Sequence, residues 1–285
     1  MGSDPVSAAL IALLLGLVQG ATEFLPISSS AHLYAIPRLF GIEEPFLESL
    51  AFAAVIHLGT LAAVLVALRS DVMRLTRVAL RTLTSLGRHR GEPADERLIL
   101  AIVIGTIPAV IVGVAAGDLL KSAVRTPLVV AGAVTAGALL LWFAERVGSR
   151  ERPLQSVGVI DGLMVGLAQA LALIPGISRS GATISGGLLL GFRREAAARF
   201  GFLLGIPAIA GAGTVELKRL LESSEDLVAS APLLVIGVAS AFISGLFAIK
   251  LLFRILDGGS TRIFVAYRFA FAAVLVASVV LRGGE

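Results

Sequence analysis

The chain has 285 residues, of which 56% are apolar and only 15% charged, and its formal net charge is +4. An average soluble domain has about 25% charged residues, so this composition excludes an ordinary soluble protein and predicts helices that cross a membrane several times. The absence of cysteine excludes disulfides, thiolate nucleophiles and thiolate metal sites. The basic residues lie at the ends of apolar segments, which indicates membrane orientation and not nucleic-acid binding.

The first half of the chain begins with a short apolar segment, residues 6–18, that runs into a polar break at 26–30. No basic residue precedes this segment, so we expect it to belong to the mature fold and not to a cleaved signal peptide. Together with residues 31–40 it is predicted to form a re-entrant helix–loop–helix hairpin. Three apolar runs close to the length of a spanning helix follow, at about 50–68, 98–117 and 126–144.

The second half repeats this plan. A second broken pair covers residues 157–192, and spans are predicted at 196–214, 231–252 and 263–281. When residues 16–30 are laid on 166–180 without a gap, six positions are identical: 16, 17, 19, 27, 28 and 30. Paired apolar segments that Gly and Pro interrupt in both halves of a membrane protein are a pointer to its binding site.

The arginines predict the orientation of the chain in a cytoplasmic membrane. Seven of them lie in the 69–97 connection, which is therefore expected to be cytoplasmic, with both termini outside. Each half has three crossings, so residues 151–285 would be inverted relative to residues 1–150, within one membrane domain. The expected fold is an all-α polytopic membrane protein, with six transmembrane helices and two re-entrant hairpins in an inverted-topology repeat. The hairpin tips would meet within the membrane and line a polar cavity.

Two polar residues of the first broken segment, Gln19 and Glu23, are four apart and share one helix face. A charged residue within a membrane helix costs about 2.5–3.5 kcal/mol on insertion scales, so Glu23 is a functional candidate. The alternative is an interfacial Glu that water reaches because the helix is short.

Serines and a histidine follow in the same segment. Ser28, Ser29 and Ser30 precede His32, which places hydroxyls near an imidazole suited to proton transfer. The alternative for the serines is capping of the next helix. His57 lies within an apolar span, where packing among small residues explains it, and His89 is expected to be solvated in the basic connection.

Arg179 stands in the second polar break, between two serines and between Gly176 and Gly181. An intramembrane Arg needs an anionic partner, and its planar fork suits phosphate oxygens. The helix that opens after it would add free N–H groups, and nearby hydroxyls would add donors, so this break predicts a phosphate site. The alternative is a structural salt bridge with Glu23. Because carboxylate and phosphate oxygens suit Mg²⁺ or Ca²⁺, a divalent cation is expected, with the substrate completing its coordination.

At these two motifs the chain resembles the undecaprenyl-pyrophosphate phosphatase family of the bacitracin-resistance type. The family motifs correspond here to Gln19-Gly20-Ala21-Thr22-Glu23, continuing through Pro26 to His32, and to Pro175-Gly176-Ile177-Ser178-Arg179-Ser180-Gly181-Ala182-Thr183. The resemblance implies a membrane hydrolase that converts a C55 polyprenyl diphosphate into the monophosphate and inorganic phosphate, recycling the lipid carrier for cell-wall synthesis. It also implies a divalent cation and a site that opens to the extracytoplasmic side.

The resemblance assigns roles as well. The implied catalytic residues are Glu23, Ser29, His32 and Arg179, with Glu23 also as the metal ligand. Of the predicted substrate-binding residues, the resemblance implies Ser178, Arg179 and Thr183, with Gln19 as a secondary position, and the polar composition of the two breaks adds Ser28, Gly176 and Ser180. Many family members have Glu at the position of Gln19, which puts more weight on Glu23.

In the mechanistic hypothesis, Ser29 attacks the terminal phosphorus or positions a water, while His32 acts as base and then as acid. A phosphoserine intermediate, direct hydrolysis by water and a histidine nucleophile all stay open.

The main alternative function is a transporter or flippase of a polyprenyl phosphate or another anionic lipid, since inverted repeats are common in transporters. The expected partners are the diphosphate lipid and the bilayer, and the sequence leaves a homodimer open.

Overall fold

The computed structural model describes residues 4–84, 92–122, 126–222 and 227–281, without the side chains of 117–122 and 227–229. The predicted features at Arg88, His89, Arg90, Arg125 and Arg282 lie outside the described residues. Within the described ranges the regular structure is helical and contains no β-strand, as the composition predicts.

The helices follow the predicted order. In the first half they are α1 (Pro5–Phe24), α2 (Ser29–Phe40), α3 (Pro45–Glu48), α4 (Leu50–Ala67), α5 (Arg69–Thr84), α6 (Pro93–Ser122) and α7 (Pro127–Val147). A 3₁₀ turn at Leu154–Ser156 precedes α8 (Val159–Leu171), α9 (Arg179–Leu189), α10 (Arg194–Glu222), α11 (Leu227–Gly258) and α12 (Arg262–Leu281). The six predicted spans correspond to α4, α6, α7, α10, α11 and α12, and the two broken segments to α1/α2 and α8/α9.

The first helix is longer than predicted. Among the described residues, seven helices are long and apolar enough to cross a membrane, and α1 is the seventh. It continues past residue 18 because Gln19 and Glu23 lie on its buried face and do not interrupt it. It ends where Pro26 favours an extended conformation at Leu25 (φ −69°, ψ 140°). By length and composition the candidate spans of the described residues therefore number seven and not six, and α1 is both the seventh candidate and the first arm of the predicted hairpin.

Ion pairs gather several helix ends at one end of the bundle. Arg199 Nη1 lies 2.8 Å from Asp71 Oδ2, which joins α10 to α5, and Arg74 pairs with Asp95 of α6. At the C-terminus of α7, Glu145 pairs with Arg194 of α10. The connection predicted at 69–97 also contains a helix of its own. Its first part forms α5, in which apolar and basic side chains recur at helical spacing.

Small residues let the broken segments pack closely against spans of the opposite half. On α1, Gly16 and Gly20 face the backbone of α11 so closely that a Cβ on either would overlap a carbonyl oxygen. On α8, Gly162 and Gly166 meet Ala101 and Gly105 of α6 in the same way. Contacts of this kind drive helix association in lipid, where apolar burial alone gives little advantage. They position the ends of α1 and α8, where the two polar breaks begin.

Candidate active site

The two polar breaks have the same local geometry. Ser28 and Ser178 are non-glycine residues with positive φ, 75° and 74°. Each caps the helix that follows, since Ser28 Oγ accepts from the Ala31 amide (3.4 Å) and Ser178 Oγ from the Gly181 amide (3.1 Å). Each hydroxyl also lies 3.2 Å from the serine two residues later. Backbone in this region is costly for a residue with a side chain, and such residues cluster at functional sites.

The breaks also contact each other directly. Ser180 Oγ donates to the Leu25 carbonyl (3.0 Å), and the Gly176 amide donates to Ser30 Oγ (3.3 Å). Gly176 has φ 108°, a conformation that favours glycine, and this turn directs its amide toward the first break. The two segments predicted to meet therefore do meet.

Glu23 is the centre of the cluster that these breaks create. Its side chain is 5% exposed, and its Oε1 accepts from Arg179 Nη2 at 2.9 Å. Its Oε2 accepts from Ser29 Oγ at 2.5 Å and from Gln19 Nε2 at 2.8 Å. The structure thus brings together four of the residues singled out in the sequence. The ion pair considered as the alternative role of Arg179 is present.

His57 of α4 completes this cluster, and the sequence reasoning missed it. Its Nε2 lies 3.5 Å from Glu23 Oε2, and its Nδ1 lies 2.5 Å from the Ala53 carbonyl. Because a carbonyl can only accept, Nδ1 carries a hydrogen, and Nε2 is left to share a proton with the carboxylate. The sequence did contain a signal for His57, because an ionisable side chain within an apolar span is energetically costly and is therefore a functional candidate.

His32 lies elsewhere. Its Nδ1 is 2.7 Å from the Ser28 carbonyl, and its Nε2 is 2.7 Å from the Tyr267 hydroxyl. Its ring stacks on Phe271 with centroids 4.1 Å apart. Within the part of the chain that the structure describes, neither ring nitrogen bonds to Ser29 or Glu23. The structure therefore places His32 in contact with α12 and not with Ser29 or Glu23. Its role as the base stays a prediction.

The remaining polar residues of the second break make local bonds. Thr183 Oγ1 donates to the Arg179 carbonyl at 3.0 Å, while Ser178 serves as the cap described above. Arg179 Nη1 also approaches the Gly205 carbonyl of α10 at 3.4 Å, and a Cβ at Gly205 would lie only 2.9 Å from that nitrogen. Gly205 thus leaves room for the guanidinium.

Two residues that contact the cluster, His57 of α4 and Gly205 of α10, lie well inside their helices. His57 precedes Arg69 by twelve residues and Gly205 follows Arg194 by eleven. At ~1.5 Å per helical residue, these separations place the cluster roughly 16–18 Å from the end where the ion pairs gather. The hydrocarbon core of a bilayer is about 30 Å thick, so helices that cross it would carry the cluster near its midplane.

A second arginine was missed by the sequence reasoning. Arg268 of α12 is 0% exposed, the largest fully buried side chain of the described residues, and it bonds to backbone carbonyls of both breaks. It follows Tyr267, the partner of His32, directly in the chain. A charged residue inside the apolar run 263–281 was the signal.

The residues around Glu23 offer oxygen ligands for a hard cation. The Gln19 side chain is 0% exposed, and its Oε1 has no hydrogen-bond partner among the described residues. An amide oxygen beside a carboxylate suits Mg²⁺ or Ca²⁺. No group of three His, Cys, Asp or Glu side chains that could hold a metal occurs in the described ranges, so a substrate would have to supply further ligands.

Comparison with known proteins identifies the family of the chain. Residues 12–274 match the family described as "Bacitracin resistance protein BacA". A protein of Thermomicrobium roseum named undecaprenyl-diphosphatase is 47% identical over 275 residues, which cover 93% of this chain and 96% of that protein. Proteins of the same name from Myxococcus xanthus and Moorella thermoacetica are 44% and 43% identical; the matches cover 97% and 96% of this chain, and 90% and 98% of those proteins. The chain therefore belongs to the bacitracin resistance protein BacA family.

Proposed function

We propose that this chain is an integral membrane phosphatase that hydrolyses undecaprenyl diphosphate to the monophosphate and inorganic phosphate, and so recycles the lipid carrier for cell-wall synthesis. The family and the name shared by the relatives support this reaction. The observation that carries it is the convergence of a hydroxyl, a carboxylate and a guanidinium at Ser29, Glu23 and Arg179. The names of the relatives give no support to the transporter alternative.

Arg179 recognises the diphosphate in this proposal. In the structure its guanidinium bonds to Glu23 Oε1 at the N-terminus of α9, where free amides also favour an anion. The guanidinium fork binds phosphate oxygens in pairs, so an arriving diphosphate competes with Glu23 for it. Binding of the substrate thereby frees the carboxylate from its counter-charge. Gly176, Ser178, Ser180 and Thr183 surround the bound phosphate.

Ser29 is the nucleophile that the contacts favour. Its Oγ already donates to Glu23 Oε2, so the carboxylate takes the proton as Oγ bonds to the terminal phosphorus. The bond from that phosphorus to the bridging oxygen breaks, and undecaprenyl monophosphate leaves. Once Glu23 has passed this proton on, water attacks the phosphoserine and gives one proton to Glu23 while the bond between the phosphorus and Ser29 Oγ breaks. Inorganic phosphate departs, and Glu23 returns a proton to Ser29 Oγ.

His57 assists this proton transfer. Its Nε2 faces the same carboxylate oxygen as Ser29, so a proton received by Glu23 has an acceptor next to it. We assign proton handling to Glu23 and His57 in preference to His32, because both nitrogens of His32 are occupied by Ser28 and Tyr267. His32 then holds the backbone of Ser28 in place.

A divalent cation fits beside these residues. Glu23 and Gln19 would hold it, because the buried Gln19 Oε1 has no other partner in the part of the chain that the structure describes and lies on the same helix face. When bound, Mg²⁺ or Ca²⁺ would neutralise charge on the diphosphate oxygens. Chelation is therefore expected to lower turnover.

We also infer the inverted repeat of residues 1–150 and 151–285, with α1/α2 and α8/α9 as the re-entrant hairpins. The matched geometry of Ser28 and Ser178 supports this symmetry, as does the packing of α1 on α11 and of α8 on α6. The basic helix ends that the ion pairs gather are the cytoplasmic side, so both termini and the mouth of the site are extracytoplasmic. Whether the protein forms a homodimer stays an open prediction, which light scattering in detergent can test by measuring its mass.

The test is phosphate release from C55 diphosphate by the purified protein in detergent. We expect Arg179→Ala and Glu23→Ala to lower turnover by at least about 1,000-fold, because each removes a charge at the reacting phosphorus. The matched controls Arg254→Ala and Glu43→Ala, both at exposed positions, should keep wild-type rates. EDTA should reduce the wild-type rate, and added Mg²⁺ should restore it.

Two outcomes would contradict the proposal. Wild-type protein that binds the lipid without releasing phosphate would favour transport over hydrolysis. Near-wild-type turnover in either site variant, with the protein folded, would remove that residue from the reaction.

A further inference from the structure

We propose that Arg268 is a positioning residue that holds the two polar breaks in register, so that Ser29 and Arg179 face the same phosphate. This inference rests on the proposed phosphatase function for its consequence, while the contacts of Arg268 stand without it. The residue belongs to α12, outside both sequence motifs.

The guanidinium joins three segments that are far apart in the chain. Its Nη1 donates to the Pro26 carbonyl of the first break at 3.2 Å. Its Nη2 donates to the Gly176 and Ile177 carbonyls of the second break, both at 3.0 Å. Its Nε donates to the Val134 carbonyl of α7 at 3.0 Å. One side chain therefore fixes both breaks to the third spans of both halves.

The hydrogen bonds of the Arg268 side chain are all made to the backbone. Within the described ranges, every hydrogen bond of its side chain ends on a backbone carbonyl, and the side chain is fully buried. Burying a guanidinium without a carboxylate is costly, and hydrogen bonds from a charged donor are roughly twice as strong as neutral ones. The bonds between Ser180 and Leu25 and between Gly176 and Ser30 are neutral. Arg268 thus adds charge-assisted bonds between the backbones of the two breaks, beside the ion pair of Glu23 and Arg179.

The clamped carbonyls lie next to the reacting groups. Pro26 is three residues before Ser29, and Ile177 is two residues before Arg179. A shift of either break moves the hydroxyl or the guanidinium relative to the other. A misplacement of about 1 Å can cost 100-fold in rate, so the clamp controls alignment without touching the substrate.

Gly137 of α7 provides a way to disturb the clamp without removing its charge. A Cβ at Gly137 would overlap Arg268 Nη2 and would lie 2.6 Å from the Ile177 carbonyl oxygen. Gly132, in the same helix, has open space at its Cβ position. Gly137→Ala and Gly132→Ala therefore form a matched pair, and Arg268→Lys with Arg262→Lys forms a second pair on α12.

The first measurement is amide hydrogen exchange, which does not depend on activity. In Gly137→Ala and Arg268→Lys we expect peptides that cover 24–32 and 174–182 to exchange about tenfold faster than in wild type. Peptides that cover 145–153, at and beyond the C-terminus of α7, should be unchanged. Both controls should match wild type throughout. Unchanged exchange in the two breaks of the folded variants would overturn the inference.

The second measurement is kinetics on C55 diphosphate. We expect Gly137→Ala and Arg268→Lys to lower kcat about 100-fold while KM changes by less than about threefold, because the lipid tail still binds but the in-line geometry is lost. A merely structural role would lower the melting temperature and leave kcat per folded molecule unchanged, and that result would refute positioning. If wild-type protein released no phosphate but the exchange pattern appeared, the clamp would stand and the proposed function would fail.

Discussion

At the scale of single residues, Glu23 determines the character of the site. It accepts bonds from Arg179, Ser29 and Gln19 and faces His57, all within 3.5 Å. A carboxylate buried at this depth is stable only because cations and donors surround it. In the proposed mechanism the same arrangement makes it a base that substrate binding can release, so its stabilisation and its chemistry depend on the same neighbours.

His57 gives a prediction at this scale. We expect His57→Leu to lower kcat by about 100-fold, because Glu23 loses the group that shares its proton. His57→Gln should lose a similar amount of activity, since its amide can donate to Glu23 Oε2 but cannot accept a proton. Phosphate-release kinetics and melting temperatures of the three proteins, measured together, check this. Equal activity of the leucine variant and wild type would show that His57 only fills space.

The sequence predicted the motif residues but not all of their partners. Glu23, Ser29 and Arg179 stand in two short motifs whose polar residues interrupt apolar helices, so their cost in a membrane makes them visible. His57 and Arg268 are single polar residues in otherwise apolar spans, with no local pattern around them. Their importance comes from contacts across 34 and 242 positions of chain, with Glu23 and Pro26. Only the folded arrangement reveals such contacts.

At the scale of helices, glycines fix where the site residues lie. Gly20 of α1 is one residue from Gln19 and three from Glu23, and it packs directly on the backbone of α11. A side chain there would push α1 outward and carry both residues with it. Helix packing at this position is thus a condition for the geometry around Arg179.

This contact can be tested with one methyl group. We expect Gly20→Ala to lower the stability by roughly 1–3 kcal/mol, because its Cβ would overlap the Ala241 carbonyl and the Ser244 hydroxyl. Phosphate release should fall as well, since Glu23 moves away from Arg179. Gly211→Ala in α10, where the added carbon meets open space, is the control. Melting curves in detergent and phosphate-release rates of both variants check this prediction. A Gly20→Ala variant with wild-type stability and activity would show that α1 tolerates the added methyl group.

Most helices could be predicted from hydropathy, but their ends and partners could not. The long apolar runs gave the six later spans, since backbone groups in lipid must bond within a helix. The polar face of α1 hid its true length, and the arginines of α5 hid a helix in a stretch that resembles a solvated connection. Which helices pack together depends on small residues that occur throughout this glycine-rich chain.

At the scale of the whole molecule, the ion pairs define one charged end. Arg199 and Arg194 at the start of α10 reach Asp71 and Glu145 of the first half. These buried carboxylates hold the helix ends together on the side where basic residues collect. In the orientation that we propose from the positive-inside rule, this side faces the cytoplasm.

The orientation can be tested because the chain has no cysteine of its own. We expect Glu43→Cys to react with a membrane-impermeant maleimide in intact cells. Ser149→Cys, which is exposed near the charged end, should react only after the membrane is permeabilised. The unsubstituted protein, which has no cysteine, should not be labelled and serves as the blank. The reverse pattern would invert the topology and move the mouth of the site to the cytoplasmic side.

The position of Arg268 in the last described helix has a consequence for biosynthesis. The ribosome completes both motifs well before it adds α12, so a nascent chain already contains the nucleophile, the carboxylate and the phosphate-binding arginine. The carbonyls of the two breaks then still lack their common donor, and His32 lacks Tyr267. Under the proposed clamp, competence arises only once translation has passed residue 268 and the final helix has inserted, and we expect an unfinished polypeptide to leave lipid in the bilayer unhydrolysed.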